Sequence, residues 1–311
     1  DAASAGVAAG ELELRTLAAM AYLELWATDR ALAVALETRD LVRSSARGAE
    51  AMYRVGRGRQ ADVLRAQAEV TRMSEEIVRM EAIRRQGAAA LGRLLDLDLD
   101  PDTLSVSDPP FPGAIPAADS LIALALARRP ALGAAGARLA AAEAEVDRAS
   151  GMRWPEVELE VQYGWRPMDG MTDRMLSLMA GVSLPIWAGR KQDRMLDEAR
   201  AMARKDAEEQ RGLAAETRGA VRAAWERWDE AVRLEALYLG ELLPQARAAL
   251  AAADAAYGVA EVDFMTLLDA QMTLNRLRQE VFRLAVARGS ALAELEELTG
   301  TALASRPAEE E

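Results

Sequence analysis

One stretch of this chain is written twice. Tyr53 to Asp96 aligns without a gap on Tyr257 to Gly300, at a constant offset of 204 residues. Matched pairs include Tyr53/Tyr257, Val55/Val259, Leu64/Leu268, Gln67/Gln271, Arg72/Arg276, Glu76/Glu280, Arg84/Arg288 and Leu91/Leu295. Solenoid units repeat every ~20 to 50 residues, so this longer period describes a duplicated half-protein. Two similar halves point to pseudo-symmetry, and pseudo-symmetry points to a ring.

Composition narrows the material of that ring. Hydrophobic residues make up 51% of the 311 positions but aromatics only 5%, the profile of long helices packing through small side chains. A net charge of -12 argues against nucleic acid as a partner, because neutralising phosphates needs a basic face. Cys and His are both absent, which excludes disulfides, thiolate chemistry, the usual zinc sites and any His-based triad. No run of 18 apolar residues is present, so no helix is expected to cross a bilayer and a β-type crossing is the remaining spanning option. The opening Asp1-Ala2-Ala3 carries no charged and apolar leader, as expected of a mature, trimmed or cytosolic chain.

Helical periodicity runs from Glu11 to about Tyr53, breaks at Gly56-Arg57-Gly58, and resumes from Asp62 through Val63, Ala66, Val70, Met73, Ile77 and Met80 to Leu95. Steps of three and four predict a coiled-coil hairpin, and residues 1–100 are assigned to it. Five prolines between 101 and 116 forbid regular helix and mark a linker. Connecting helices are expected over 117–153, interrupted at Arg129-Pro130. A second helical hairpin is expected over 189–300, bent at Pro244, and 301–311 reads as a disordered tail.

Between Trp154 and Trp187 the period changes from near 3.6 to 2. Val157, Leu159, Val161 and Tyr163 alternate with Glu156, Glu158, Glu160 and Gln162, giving an apolar and an acidic face. The segment 154–188 is predicted to be a β-hairpin with strands about ten residues long, a Gly164-Trp165-Arg166-Pro167-Met168-Asp169-Gly170 loop, and a second strand from about Met175 to Leu184.

In this order, the elements resemble the TolC-like outer-membrane efflux proteins, exit ducts of bacterial tripartite pumps. The carrying residues are Arg129-Pro130 opening the helix to Ala149, Trp154-Pro155 leading into a strand, and Val182-Ser183-Leu184-Pro185-Ile186-Trp187-Ala188-Gly189-Arg190 closing the hairpin. Each half also carries the family's helix-turn-helix tip, Tyr53-Arg54-Val55-Gly56 to Gln67 and Tyr257-Gly258-Val259 to Gln271. The hairpin ending is similar to that of the heavy-metal efflux branch. The resemblance implies a mainly α fold of long antiparallel coiled-coil hairpins in two pseudo-repeats, forming an α-barrel when trimeric, with a β-hairpin contributing to a membrane β-barrel. The family has a β-hairpin in each half, whereas the first half here opens at the helix that follows such a hairpin. Three copies of this stretch therefore supply half the strands.

Implied partners are two further copies in a homotrimer, outer-membrane lipid, a periplasmic adaptor and an inner-membrane transporter. On this resemblance Glu156, Glu158 and Glu160 face an aqueous lumen. Val55, Gly56, Gly58, Asp62, Val259, Glu261 and Asp263 are the candidate adaptor contacts, although a helix reversal needs turn glycines with or without a partner. Asp269, with Thr266 before it, falls at the family's narrow periplasmic entrance, where three symmetry-related carboxylates would attract cations. Thr266 departs from the acidic pattern there.

Met152, Met168, Met171, Met175 and Met179 gather around the second strand. Thioethers are soft ligands for Cu(I), but Met is also generic apolar filler, and no metal or cofactor is assigned. No phosphate loop or nucleophile motif is found, so no enzyme is expected. The helices by themselves also allow a coiled-coil scaffold or adaptor without a pore. An upstream signal peptide with a second alternating hairpin separates the two readings.

Overall fold

The computed structural model describes residues 2–152, 154–168, 171–183, 191–259 and 261–303, without side chains for 2–5, 165–168, 171–174 and 183. The closing motif 184–190 and the tail from 304 onward lie outside the described residues. So do the expected loop apex Asp169-Gly170 and the side chains of Met168 and Met171.

The chain is mainly helical, as expected. The elements are α1 (Ala2–Arg54), α2 (Gln60–Leu95), α3 (Ala118–Arg128), α4 (Pro130–Gly151), β1 (Glu156–Met168), β2 (Met171–Ser183), α5 (Gln192–Leu237), a π turn (Tyr238–Leu242), α6 (Leu243–Gly258) and α7 (Phe264–Thr299). No helix among the described residues is long and apolar enough to cross a membrane. The chain divides into two compact units, one of Asp1–Val7 and Pro130–Glu216, the other of Ala8–Arg129 and Thr217–Glu311.

In the larger unit α1 lies between α2 and α7. Leu25 packs on Ala88 and Leu91 of α2, and Ala35 packs on Met73 and Ile77. Near the turns Val42 and Ala49 of α1 meet Val63 and Ala66 of α2 and Phe264 and Leu268 of α7. Leu295 and Leu298 of α7 close against Leu121 of α3 and Val221 and Ala224 of α5. The buried α2 positions Val63, Ala66, Met73 and Ile77 follow the coiled-coil steps of the sequence. Each fully buried Leu, Val or Phe contributes on the order of 1.5–3 kcal/mol. In the smaller unit Ala149 of α4 packs on Leu196 and Ala199 of α5.

The repeat extends to the helix ends. Both α2 and α7 have 36 residues, and both stop at a left-handed cap. Asp96 at φ 53 donates its N–H to the Gly92 carbonyl, and Gly300 at φ 64 donates to Glu296. Asp and Gly are among the residues that tolerate this conformation.

Four expectations are corrected. The helix expected from Glu11 begins at Ala2. The bend expected at Pro244 is a π turn just before it, in which Leu243 N–H reaches back to the Tyr238 carbonyl. Proline cannot donate to the turn before it, and one extra residue absorbs the mismatch. The strands are 13 residues each, not about ten. Residues 164–168 are paired strand, not loop, with Pro167 opposite Thr172 and Met168 opposite Met171. A two-stranded sheet consists only of edges, so Pro167 can sit with its missing N–H on the unpaired side.

Candidate channel surfaces

Antiparallel register sorts the hairpin into two faces. Val157, Leu159, Val161 and Tyr163 stand opposite Val182, Ala180, Leu178 and Leu176. Directly opposed residues share a face, so these eight form one continuous apolar stripe. None is covered: Leu178 is 69% exposed and Leu176 71%. Glu156, Glu158 and Glu160 line the other face with Ser183, Gly181 and Met179 as partners. That face also takes Met175, opposite Gly164. The two methionines with described side chains on β2 therefore lie on the acidic face, Met179 opposite Glu160, and not in the apolar stripe. Among the described residues no cluster of His, Cys, Asp and Glu could hold a metal ion.

The two helical turns come together. Tyr257 at the end of α6 stacks edge-on against Phe264 at the start of α7, with ring centroids 5.8 Å apart. Burial raises the Tyr257 pKa, and the nearby Asp62 carboxylate of α2 adds to the rise. In the first turn Gly56 has φ 74, which only glycine adopts without strain. A Cβ on Gly58 would lie 2.9 Å from the Tyr53 nitrogen, so this glycine lets the backbone fold back on α1. Val55 and Val259 are 69% and 68% exposed, and Glu261 is exposed.

Asp263 caps α7. Its Oδ1 accepts from the Thr266 N–H at 2.9 Å and from the Thr266 hydroxyl at 2.8 Å. The Thr266 backbone bond, its hydroxyl and then the charges of Arg59 and Arg65 lower the Asp263 pKa. Asp263 and Thr266, placed by sequence in different roles, are one capping unit. Asp269 is exposed in the second turn of α7.

Sequence reasoning missed what holds the proline-rich segment. Trp26 Nε1 and Arg30 Nη2 both donate to Asp108 Oδ1, at 2.8 and 2.7 Å, and the Tyr22 hydroxyl donates to the Ser107 carbonyl at 2.8 Å. Trp225 Nε1 donates to the Pro116 carbonyl at 3.1 Å. The segment is a strap tied to α1 and α5, and the signal was the indole and guanidinium groups on otherwise apolar helix faces. A polar layer between α1 and α7 was also missed. The Thr38 hydroxyl donates to Asn275 Oδ1 at 3.1 Å, and Gln271 Nε2 donates to Ser45 Oγ at 2.8 Å. Arg278 bridges to Glu37 at 2.8 Å.

A sequence model of the family described as outer membrane efflux protein matches residues 121–301. The chain belongs to that family. It is 29% identical over 188 residues to protein CyaE of Bordetella pertussis, a match covering 58% of this chain but 40% of CyaE. The chain thus spans less than half of that relative. Among solved structures it resembles the outer membrane protein VceC of Vibrio cholerae with a TM-score of 0.83 at 19% identity, covering 97% of this chain and 73% of VceC. A membrane protein of Pseudomonas aeruginosa gives 0.83 at 24% identity, covering 96% and 71%. At these identities the structures establish the fold, that of the TolC-like outer-membrane channels, and the family match establishes the membership.

Proposed function

We propose that this protein is the outer-membrane exit duct of a tripartite efflux pump. It acts as a homotrimer that conducts substrates passively from the periplasm to the exterior. The observation that carries the reading is the hairpin's uncovered apolar stripe, backed by a face of Glu156, Glu158 and Glu160. A two-stranded sheet leaves both outer edges unpaired. Lipid accepts β structure only when every edge is closed in a barrel. Strands apolar outside and polar inside are the pattern of such barrels, so the hairpins of several copies line one water-filled lumen.

The helices then form the periplasmic part. Their turns, with Val55, Gly56, Gly58, Asp62, Val259, Glu261 and Asp263, meet an adaptor that couples the duct to an inner-membrane transporter. Asp269, with Thr266 beside it, rings the entrance. Energy comes from the transporter, and the duct itself catalyses nothing. A pore-free scaffold has no use for an exposed apolar stripe beside an acidic one.

The test is the mass and symmetry of the protein extracted in detergent, by mass photometry with negative-stain imaging. A trimeric tube is expected; a monomer or elongated dimer that stays soluble without detergent overturns the reading. In reconstituted pores Asp269→Ala is expected to raise ion conductance, and unchanged conductance in an assembled pore removes Asp269 from the entrance.

A further inference from the structure

The two helical turns share a shape and differ in sign. At equivalent positions 204 residues apart, Arg57 corresponds to Glu261, Arg59 to Asp263 and Arg65 to Asp269, and all six are exposed. Valine is kept in both turns, as Val55 and Val259, and both valines are exposed. The first turn is thus a basic copy, and the second an acidic copy, of one backbone motif with a bare apolar residue.

Elsewhere the surface arginines find acids on their own helix, as Arg54 does with Glu50, Arg72 with Glu69 and Arg79 with Glu75. Among the described residues none of Arg57, Arg59 and Arg65 is in an ion pair, and neither are Glu261 and Asp269. Arg59 is also placed against its own helix. It stands at the N-cap of α2 with extended φ -102 and ψ 141 and makes no side-chain cap bond. A cation there faces the positive end of the helix dipole, at a position that favours Asp. Its mate Asp263 occupies the same position on α7 and does cap. An arginine that weakens its own helix end and contacts no acid in the chain is a local conflict of the kind found at functional sites.

The turns lie side by side. Val63 of α2 and Phe264 of α7 share one core cluster, on which Tyr257 also packs, and Arg59 and Arg65 act through charge on Asp263. The basic and acidic halves therefore form one continuous surface.

We propose that this surface is a bipolar docking site for the periplasmic adaptor, with Arg57 and Arg59 receiving acidic side chains, Glu261 and Asp269 receiving basic ones, and Val55 and Val259 meeting apolar residues between them. The inference rests on the adaptor reading above and adds the chemistry and orientation of the partner. A partner of uniform charge is attracted by one half and repelled by the other. A partner with both signs fits in one orientation and is repelled in the reverse one, which gives specificity as well as attraction.

The chain has no cysteine, so Val55→Cys and Val259→Cys each place a single benzophenone-maleimide label on detergent-extracted protein. Each labelled protein is mixed with an extract of periplasmic and inner-membrane proteins from the same cells and irradiated, and the linked peptides are sequenced. The expected result is one protein captured at both positions, through a segment bearing Asp or Glu at Val55 and a segment bearing Lys or Arg at Val259. Arg57→Glu with Arg59→Asp should lower capture by about tenfold or more, and Arg57→Lys with Arg59→Lys should keep it. Because Asp is a favoured cap, Arg59→Asp is expected to leave the melting temperature unchanged or raised, so that lost capture is not lost folding. Capture of one partner through segments without this polarity, or capture indifferent to charge reversal, overturns the bipolar site and leaves the adaptor reading standing. Links formed only between copies of this chain, or none at either turn of an assembled oligomer, overturn both.

Discussion

Arg84 and Arg288, 204 residues apart, perform the same task in the two halves. Arg84 of α2 binds Asp29 of α1 and the carbonyls of Pro101 and Leu104. Arg288 of α7 binds Glu235 of α5 at 2.9 Å and the Pro112 carbonyl at 2.5 Å, with its guanidinium 5.0 Å above the Phe111 ring. Each arginine ties a helical hairpin together and pins one end of the proline-rich strap. A planar fork with five donors suits this three-way junction, and a lysine does not replace it.

Removal of Arg288 therefore leaves Glu235 shielded and unpaired. The side chains are 13% and 18% exposed, short of full burial, so Arg288→Ala is expected to destabilise by roughly 2 kcal/mol, below the range for fully buried pairs. Arg288→Lys falls between, because charge survives and the fork does not. Urea unfolding of Arg288→Ala, Glu235→Ala and the double variant checks this. The double variant should lose less than the sum of the singles, and strict additivity would dissolve the pair.

Two helical glycines should respond to alanine with opposite signs. A Cβ on Gly289 would lie 2.6 and 2.9 Å from the two Leu23 methyl carbons and 3.0 Å from Phe111. Leu23 is 5% exposed and has little room to move, so overpacking of about 1–3 kcal/mol exceeds the ~1 kcal/mol helix gain. On Gly87 the nearest atom is 3.4 Å away, an ordinary contact. Gly87→Ala is expected to raise the melting temperature and Gly289→Ala to lower it, by thermal unfolding.

The Asp263 cap carries a pH signature. Its pKa is lowered by the Thr266 N–H first, then the Thr266 hydroxyl. A lowered folded value means the cap's contribution is fully present above the unfolded carboxylate value of ~3.9 and is lost as pH falls through the lower folded value. Hydrogen exchange at the start of α7 should accelerate across that acidic window. Asp263→Asn, which keeps an acceptor, should flatten the dependence; an unchanged profile would assign it to other carboxylates.

Periodicity made the helices and the hairpin legible because burial of one face imposes it directly. Val63, Ala66, Met73 and Ile77 were readable as core, and the alternation from Glu156 to Tyr163 was readable as a two-faced strand. Punctuation was less reliable. Gly164 and Pro167 read as loop, yet an edge strand has an unpaired side for a missing donor. Pro244 read as a bend, and the helix answered with a π turn upstream. Gln67 and Gln271 are the same letter at the same repeat position, one exposed and one 2% exposed. No local pattern distinguishes them, because the difference lies in whether α1 is alongside. The strap was read from its prolines alone, while the groups that fix it lie on distant helices. Asp263 and Thr266 were picked out one at a time, and only the structure joins them in a cap.

The hairpin's two faces give the sharpest test of membrane insertion, because neighbouring residues on β2 point opposite ways. Leu178 belongs to the apolar stripe with Val161, and Met179 pairs with Glu160 on the acidic face. Both are exposed, at 69% and 65%, so neither substitution disturbs a packed core. If the apolar stripe meets lipid, Leu178→Lys places a charge in hydrocarbon at about 2–4 kcal/mol per copy near the midplane, multiplied by the number of copies in the barrel. Met179→Lys places the same charge in water beside a carboxylate and costs little. Recovery in the outer-membrane fraction should therefore collapse for Leu178→Lys and hold for Met179→Lys. Equal recovery would mean that the stripe does not face lipid, and the reverse order would mean that the barrel is closed with its acidic face outward.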